Sequence, residues 1–320
     1  MKILAIQNRM GIGDTIIFLP FIKALSKKFN SPISLLVKEN SKADQYLFET
    51  EYIDEILILK RDIKLDNRHG GIFGFFNLIK DIKKYNFEKI IIFNSSFRYY
   101  LVAKFSGISE LYQYPLFKKT KQHIVNTPRE FMKSKLKLDV NEDPEIQINE
   151  RLVADTINKF QMNKNELNIL LGIGGSGPTK RIPASTFLNL IKKILNFKKC
   201  KFFLATGKSE GEQNILEKIL GSEFKNYCIP LDHLTIKETL PIIKNCNLSV
   251  CNDSSFSHLS AALGIKTITL MADTPIIYGN YNSKMFPIIP DGEETVTHNT
   301  LGKDKINSEK ILNKIFEILN

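Results

Sequence analysis

Short apolar runs alternate along the chain with longer segments of helical period. Ile3 to Ile6 forms the first run and ends at polar Gln7. After a glycine turn at Gly11, a segment from about Asp14 to Phe29 places apolar Ile17, Phe21 and Leu25 at i, i+4 and i+8, the spacing of one helix face. The same rule predicts strands at Ile33 to Val37, Glu55 to Leu59 and Ile90 to Phe93, and a helix at about Phe73 to Tyr85. Strands that alternate with helices build a parallel sheet covered on both faces.

From about Asp139 to Asn165 the chain turns polar, with Asn141, Glu142, Asp143 and Pro144, although part of this stretch can be helical. The pattern then restarts with a strand at Leu167 to Leu171, a glycine-rich turn at Gly172 to Gly177 and a helix at Pro183 to Leu195. Further strands are predicted at Phe202 to Ala205, Leu248 to Cys251 and Thr267 to Met271. Each half opens with a strand and a glycine loop, which predicts an α/β protein of two Rossmann-like domains facing a central cleft, residues 1–155 and 156–320. Two domains also suit a length of 320 residues, since a single core serves roughly 150. A last helix at about 307–319, with Ile311, Ile315 and Ile318 or Leu319 on one side, is expected to dock and is a candidate to pack back on the first domain.

Composition adds limits. Apolar residues at 43% and charged residues at 25% are ordinary values for a folded chain. Lys and Arg total 45 against 34 Asp and Glu, a formal charge of +11 that no single basic block dominates. Such an excess favours anionic surfaces, either nucleic acid or phospholipid headgroups, or serves solubility alone. Cys200, Cys228, Cys246 and Cys251 lack CxxC spacing and a neighbouring histidine pair, so free buried thiols in a reducing compartment are expected rather than disulfides or zinc. The apolar run after Lys2 is too short for a signal-peptide core, and no run approaches the roughly 20 residues that span a bilayer. The expectation is a cytoplasmic monomer whose membrane contact is peripheral. No zinc module, RNA-recognition motif or recognition helix accompanies the charge, so nucleic acid is not an expected partner.

Three loops carry candidate chemistry. The first reads Gly11, Ile12, Gly13, Asp14; the third glycine of a dinucleotide fingerprint is replaced by Ile16, which argues against a nicotinamide cofactor. Asp14, at or next to a helix start, can accept a proton from a substrate hydroxyl or can simply cap the helix. The second loop runs through Gly174, Gly175, Ser176, Gly177, Thr179, Lys180 and Arg181. Backbone amides and two cations suit a diphosphate, though the Walker spacing is absent and solvated turn charges remain the alternative. In the third loop Asp253 is the expected N-cap, the amides at Ser254, Ser255 and Phe256 form an anion site, and His258 lies one turn beyond Ser254 on the same face. A histidine there is as well explained by packing as by catalysis. In the first half, Ser95, Ser96, Arg98 and Tyr99 follow a predicted strand. Arg98 suits an anionic acceptor, His123 is placed on the same side, and a solvated turn is the alternative for both; residues 62–74 are the expected acceptor loop.

In order along the chain, "MGIGDTIIFLP", "GPTKRIP", "NDSSFSHLSAALGIKTITL" and "ADTPIIYGNY" resemble the signature of glycosyltransferase family 9, the bacterial lipopolysaccharide heptosyltransferases. The resemblance implies a GT-B fold with the acceptor mostly on the first domain and a sugar nucleotide mostly on the second. It implies inverting transfer without metal or cofactor, typically from ADP-heptose to an anionic glycan or glycolipid at the inner membrane. Asp14 then matches the catalytic base and Gly13 its loop, Lys180 the phosphate-contacting lysine and Asp253 the donor-sugar contact. Ser254 and Ser255 match the diphosphate site, and Glu210 an acidic residue near the nucleoside. Ser255 stands where the family usually has glycine, Gly177 and Ile182 replace common aromatics, and Ala272 replaces a glycine, which leaves the sugar open. Two other readings use the same features: a non-catalytic nucleotide-sugar or nucleic-acid binding protein, and a GT-B-like sugar-nucleotide epimerase.

Overall fold

The computed structural model describes residues 1–9, 11–61, 67–116, 123–163 and 165–319. The chain divides into two units, Met1–Gln147 and Ile148–Asn320.

The first unit comprises β1 (Ile3–Ile6), α1 (Ile12–Phe29), β2 (Ile33–Lys38), β3 (Ile53–Leu59), α2 (Gly71–Lys83), β4 (Lys89–Ile92), α3 (Phe97–Phe105), β5 (Glu110–Gln113) and α4 (Asn126–Leu136). Its strands are parallel in the order β3-β2-β1-β4-β5. Strands covered on both faces need no polar alternation, and every residue of β1 is buried. One face carries Leu78, Ile79 and Ile82 of α2 and Val102 and Ala103 of α3 against Leu4, Ile6, Ile90 and Ile92. Near α1, edge-on rings link Phe18 to Phe93, and Phe93 to Phe131 of α4. Of the expected acceptor loop 62–74, residues 62–66 lie outside the described residues.

The second unit comprises α5 (Glu150–Lys159), β6 (Leu167–Gly172), α6 (Ala184–Leu195), β7 (Cys200–Ala205), α7 (Glu210–Leu220), β8 (Cys228–Pro230), α8 (Ile236–Lys244), β9 (Leu248–Asn252), α9 (Ser255–Ala262), β10 (Thr267–Leu270), α10 (Ile277–Asn280), β11 (Met285–Ile288) and α11 (Ser308–Leu319). Its parallel order is β11-β10-β9-β6-β7-β8. Each sheet therefore changes direction once, between β1 and β4 in the first unit and between β6 and β9 in the second. All four cysteines are buried and unpaired, as the spacing predicts. Among the described residues no helix is long and apolar enough to cross a membrane.

One detail of the domain reading changes. The division falls at 147/148 rather than 155/156. Residues up to 147 are tied to the first unit, Lys23 pairing with Glu145 at 2.7 Å, Lys27 with Glu142 at 2.9 Å, and the Tyr52 hydroxyl donating to the Glu145 carbonyl at 2.9 Å. Helix α5 joins the second unit, where the side-chain amide of Asn245 donates to the Val153 carbonyl at 2.8 Å. The last helix lays Ile311, Leu312, Ile315 and Ile318 into the second unit's core beside Phe187, Leu190, Ile191 and Ile194 of α6.

Truncating a fully buried isoleucine costs about 2–5 kcal/mol. Ile315→Ala is expected to lower amide-exchange protection in α6 and β10 while α1 keeps its own. Equal loss in α1 with none in α6 would place the helix elsewhere.

Candidate active site

Ligands of open parallel sheets bind beyond the carboxyl ends of the strands, where strand order reverses. In the second unit that point is the mouth of β6 and β9. Asn252, wholly buried, ends β9 and donates its side-chain amide to the carbonyls of Ile173 at 2.8 Å and Gly174 at 3.1 Å, tying the two loops together. The next residue, Asp253, does not cap α9 as expected. The cap position is Ser254, and the Asp253 carboxylate turns instead to Lys180, whose Nζ lies 2.7 Å from Oδ2. Asp253 is only 6% exposed. Burial pushes its carboxyl up, but the charges of Lys180 and His258 and the lysine hydrogen bond outweigh that and hold it below the ordinary carboxylate range.

His258 places Nε2 4.0 Å from the other Asp253 oxygen, while its Nδ1 meets the Tyr281 hydroxyl at 2.7 Å and the two rings stack. This histidine is thus both packed and part of the carboxylate's surroundings. Asp273 accepts from the Leu301 amide at 2.9 Å, and the Thr179 side chain helps hold its carboxyl below the ordinary value. Ser255 and Ser254 are half-buried at the start of α9, and Ser176 is exposed. Phe256 is half-buried, while Leu259 and Leu263 are buried.

The glycine loop is filled from within. Glu212 Oε1 accepts from the Gly175 amide at 2.9 Å and the Gly207 amide at 3.3 Å, and Oε2 accepts from the Ser209 hydroxyl at 2.6 Å. A Cβ at Gly174 or Gly207 would come within 2.6 or 2.5 Å of these oxygens, so both glycines make room for the protein's own carboxylate. Burial raises the Glu212 carboxyl, yet these donors bring it below its ordinary value. The expectation that Gly175 offers its amide to phosphate is corrected accordingly. Arg181 serves the same loop, donating Nε to the Gly175 carbonyl at 2.9 Å. Glu210 is exposed in the first turn of α7. Sequence reading missed Glu212, although Ser209-x-x-Glu212 has the capping-box spacing; it also gave no role to Asn252, Asp273 and Tyr281, although all three lie in the segments that carry the family resemblance.

In the first unit, α1 begins at Ile12, so Gly13 is already helical and Asp14 is the third helical residue. Asp14 Oδ2 accepts from the Gly11 amide at 3.0 Å. Among the described residues no second donor reaches this half-buried carboxylate. Across the reversal of the sheet, the side-chain amide of Asn94 donates to Asn8 Oδ1 at 3.2 Å, and Gln113 donates to the carbonyls of Asn94 and Ser96 at 3.0 and 2.9 Å. Ser96 stands at the cap position of α3 without a side-chain capping bond, and Ser95 precedes it. Arg98 spends its guanidinium on the carbonyls of Gly71 and His69, both at 2.9 Å. His123 Nδ1 accepts from the Asn126 amide at 3.0 Å and so steadies the start of α4.

Asp253, Glu212 and Asp273 all sit below their ordinary values in the fold. Their contribution is complete above about pH 4 and lost as pH falls through the lower folded values. Thermal unfolding of the second unit should therefore move to lower temperature below that pH. Lys180→Met leaves Asp253 buried without its cation, at a cost on the order of 2–3 kcal/mol near pH 7, less than for a fully buried pair. Because protonation relieves Asp253, this deficit should narrow in acid; a deficit independent of pH would contradict the pairing.

Residues 90–288 match the profile of Glycosyltransferase family 9 (heptosyltransferase). The lipopolysaccharide heptosyltransferase 1 of Campylobacter coli is 28% identical over 178 residues, 53% of this chain and 52% of that one, so the match spans about half of that relative. The lipooligosaccharide heptosyltransferase 2 of Campylobacter jejuni is 25% identical over 309 residues, covering 89% of this chain and 93% of that one. The solved structure of the E. coli ADP-heptose lipopolysaccharide heptosyltransferase II superposes with a TM-score of 0.74 at 18% identity, covering 100% of this chain and 98% of that one. A profile match over more than half the chain, carried on two parallel sheets of this fold, makes the protein a member of glycosyltransferase family 9 with the GT-B architecture.

Proposed function

We propose that the chain transfers heptose from ADP-heptose to a lipopolysaccharide or lipooligosaccharide core acceptor, on the cytoplasmic side of the inner membrane, by one inverting displacement without metal or cofactor. The observation that carries this reading is the Lys180–Asp253 pair at 2.7 Å beside the start of α9, a fixed ammonium next to free helix amides. Family membership and the names of the relatives supply the donor and acceptor classes.

In this reading Asp14 takes the proton of the acceptor hydroxyl as that oxygen attacks the anomeric carbon. The bond from that carbon to the diphosphate breaks, and the nucleoside diphosphate leaves with the negative charge. A single in-line displacement asks for one base and one stabiliser of the leaving group. The Gly11 amide orients Asp14 through Oδ2 and leaves Oδ1 for the hydroxyl. An ammonium has three donors; Lys180 spends one on Asp253 and keeps two for the diphosphate, joined by the amides at Ser254 and Ser255. Asp253 Oδ1 is assigned to the sugar's hydroxyls and Glu210 to the nucleoside side. Gly13, Ser95 and Ser96 are assigned to the acceptor.

Asparagine at position 14 can still accept from Gly11 but cannot take a proton. Asp14→Asn should therefore lower kcat by about 10²–10⁴ while ADP still raises the unfolding temperature. Retained turnover would remove Asp14 as the base. In a thermal-shift panel of the wild-type protein, ADP should stabilise more than UDP or GDP, by about 2.7 kcal/mol at a hundredfold excess over Kd. A larger response to UDP would replace the donor.

A further inference from the structure

A helix on a sheet normally shows one apolar stripe to the core and a polar face to water. Helix α2 has two apolar faces. Gly74, Leu78, Ile79 and Ile82 are buried, while Ile72, Phe73 and Phe76 point outward at 77%, 86% and 61% exposure. The outward face continues at helical spacing into exposed Lys80 and Lys83. Neighbouring α3 adds Phe97 at 48% and Phe105 at 59% exposure. Phe75 joins the two helices, its ring centroid 5.3 Å from that of Phe76 and 6.2 Å from that of Phe105. Scattered exposed apolar residues are normal, but a contiguous aromatic surface marks an interaction site.

Charge decides the occupant. On α2 and α3 stand Lys80, Lys83, Arg98 and Lys104 against Asp81 alone. Asp81 is itself taken up by Arg68 at 2.7 Å, by Lys84 at 3.0 Å and by His69 at 3.1 Å. The chain as a whole carries +11. Exposed aromatics beside lysines that pair with no carboxylate among the described residues suit the interface of an anionic bilayer, where rings enter the acyl boundary and ammonium groups meet lipid phosphates. Both helices start after strands at the carboxyl edge of the first sheet, the edge at which Asp14 stands.

We infer that the α2–α3 surface, centred on Phe73 and Phe76, docks the protein on an anionic phospholipid bilayer. It deepens the proposed function, because it would bring a lipid-anchored acceptor to the edge that carries Asp14, yet it is tested without substrate.

The test is sedimentation with vesicles of phosphatidylcholine containing phosphatidylglycerol. Wild-type protein should pellet with these vesicles in 0.01 M salt and at least tenfold less with pure phosphatidylcholine or in 0.5 M salt, where the screening distance is about sevenfold shorter. Phe73→Ser with Phe76→Ser should lower the bound fraction at least tenfold with an unchanged unfolding temperature. Lys80→Glu with Lys104→Glu provides a second variant that keeps the apolar surface and should weaken binding only to anionic vesicles. Wild-type protein left in the supernatant, or variants that pellet like wild type, would overturn the proposal. So would a dimer in lipid-free solution that the serine variant abolishes while vesicles bind nothing, since the occupant would then be a second copy of the chain. A failed ADP response beside intact vesicle binding would remove the donor assignment and leave this surface standing.

Discussion

The buried amide of Asn252 holds the point on which the second unit's chemistry depends. At the mouth of β6 and β9 the neighbouring chains leave in different directions, and backbone carbonyls there lose the partners that a ladder would give them. A buried carbonyl without a donor costs about 1–3 kcal/mol; Asn252 supplies donors to two, at Ile173 and Gly174. That tie fixes the start of the glycine loop relative to Asp253, the next residue in the chain. The first unit solves the same geometric problem with Asn94 and Asn8 between β4 and β1. In both sheets the candidate chemistry stands beside an asparagine that spans the reversal.

Around that tie, the protein uses its own carboxylates to pre-set loops. Glu212 gathers the amides of Gly175 and Gly207, and Asp273 gathers the Leu301 amide. Asp253 holds Lys180. A loop whose amides are already satisfied has less freedom left to lose when a ligand arrives. The glycines at 174 and 207 therefore permit close approach, but the approaching group is internal. In the proposed function the start of α9 and the unspent donors of Lys180 take the external anion.

The continuous apolar strands and the last helix were legible because burial on both faces leaves an unmistakable run of apolar residues. The edges were not. Strand β5 is Glu-Leu-Tyr-Gln and β8 is Cys-Ile-Pro, each short, and in β8 a proline takes the terminal place that edge strands tolerate. The domain boundary was misplaced because its ties are pairs such as Lys27 with Glu142, far apart in sequence. At the site, residue types at Asp14, Lys180, Asp253 and His258 could be read, but their partners could not. Asp253 has the composition of a cap, and only the approach of Lys180 across 73 residues turns it into the lysine's anchor. Arg98 looked like a group for an anionic acceptor, whereas the fold directs it to carbonyls 27 and 29 residues away.

The outward aromatics of α2 follow a different logic from the core. A side chain such as Phe73 gains nothing from the fold when it stays in water, so no demand of packing explains why it is not polar. Its exposure makes sense as a cost offset by the proposed occupant, and the lysines on the same face favour something anionic. A bilayer meets both conditions at once, with acyl chains for the rings and phosphates for the ammonium groups. A membrane-bound acceptor also confines the search for substrate to a surface. The +11 charge, which by itself fits nucleic acid as readily as lipid, acquires a direction only when the aromatics beside it are counted.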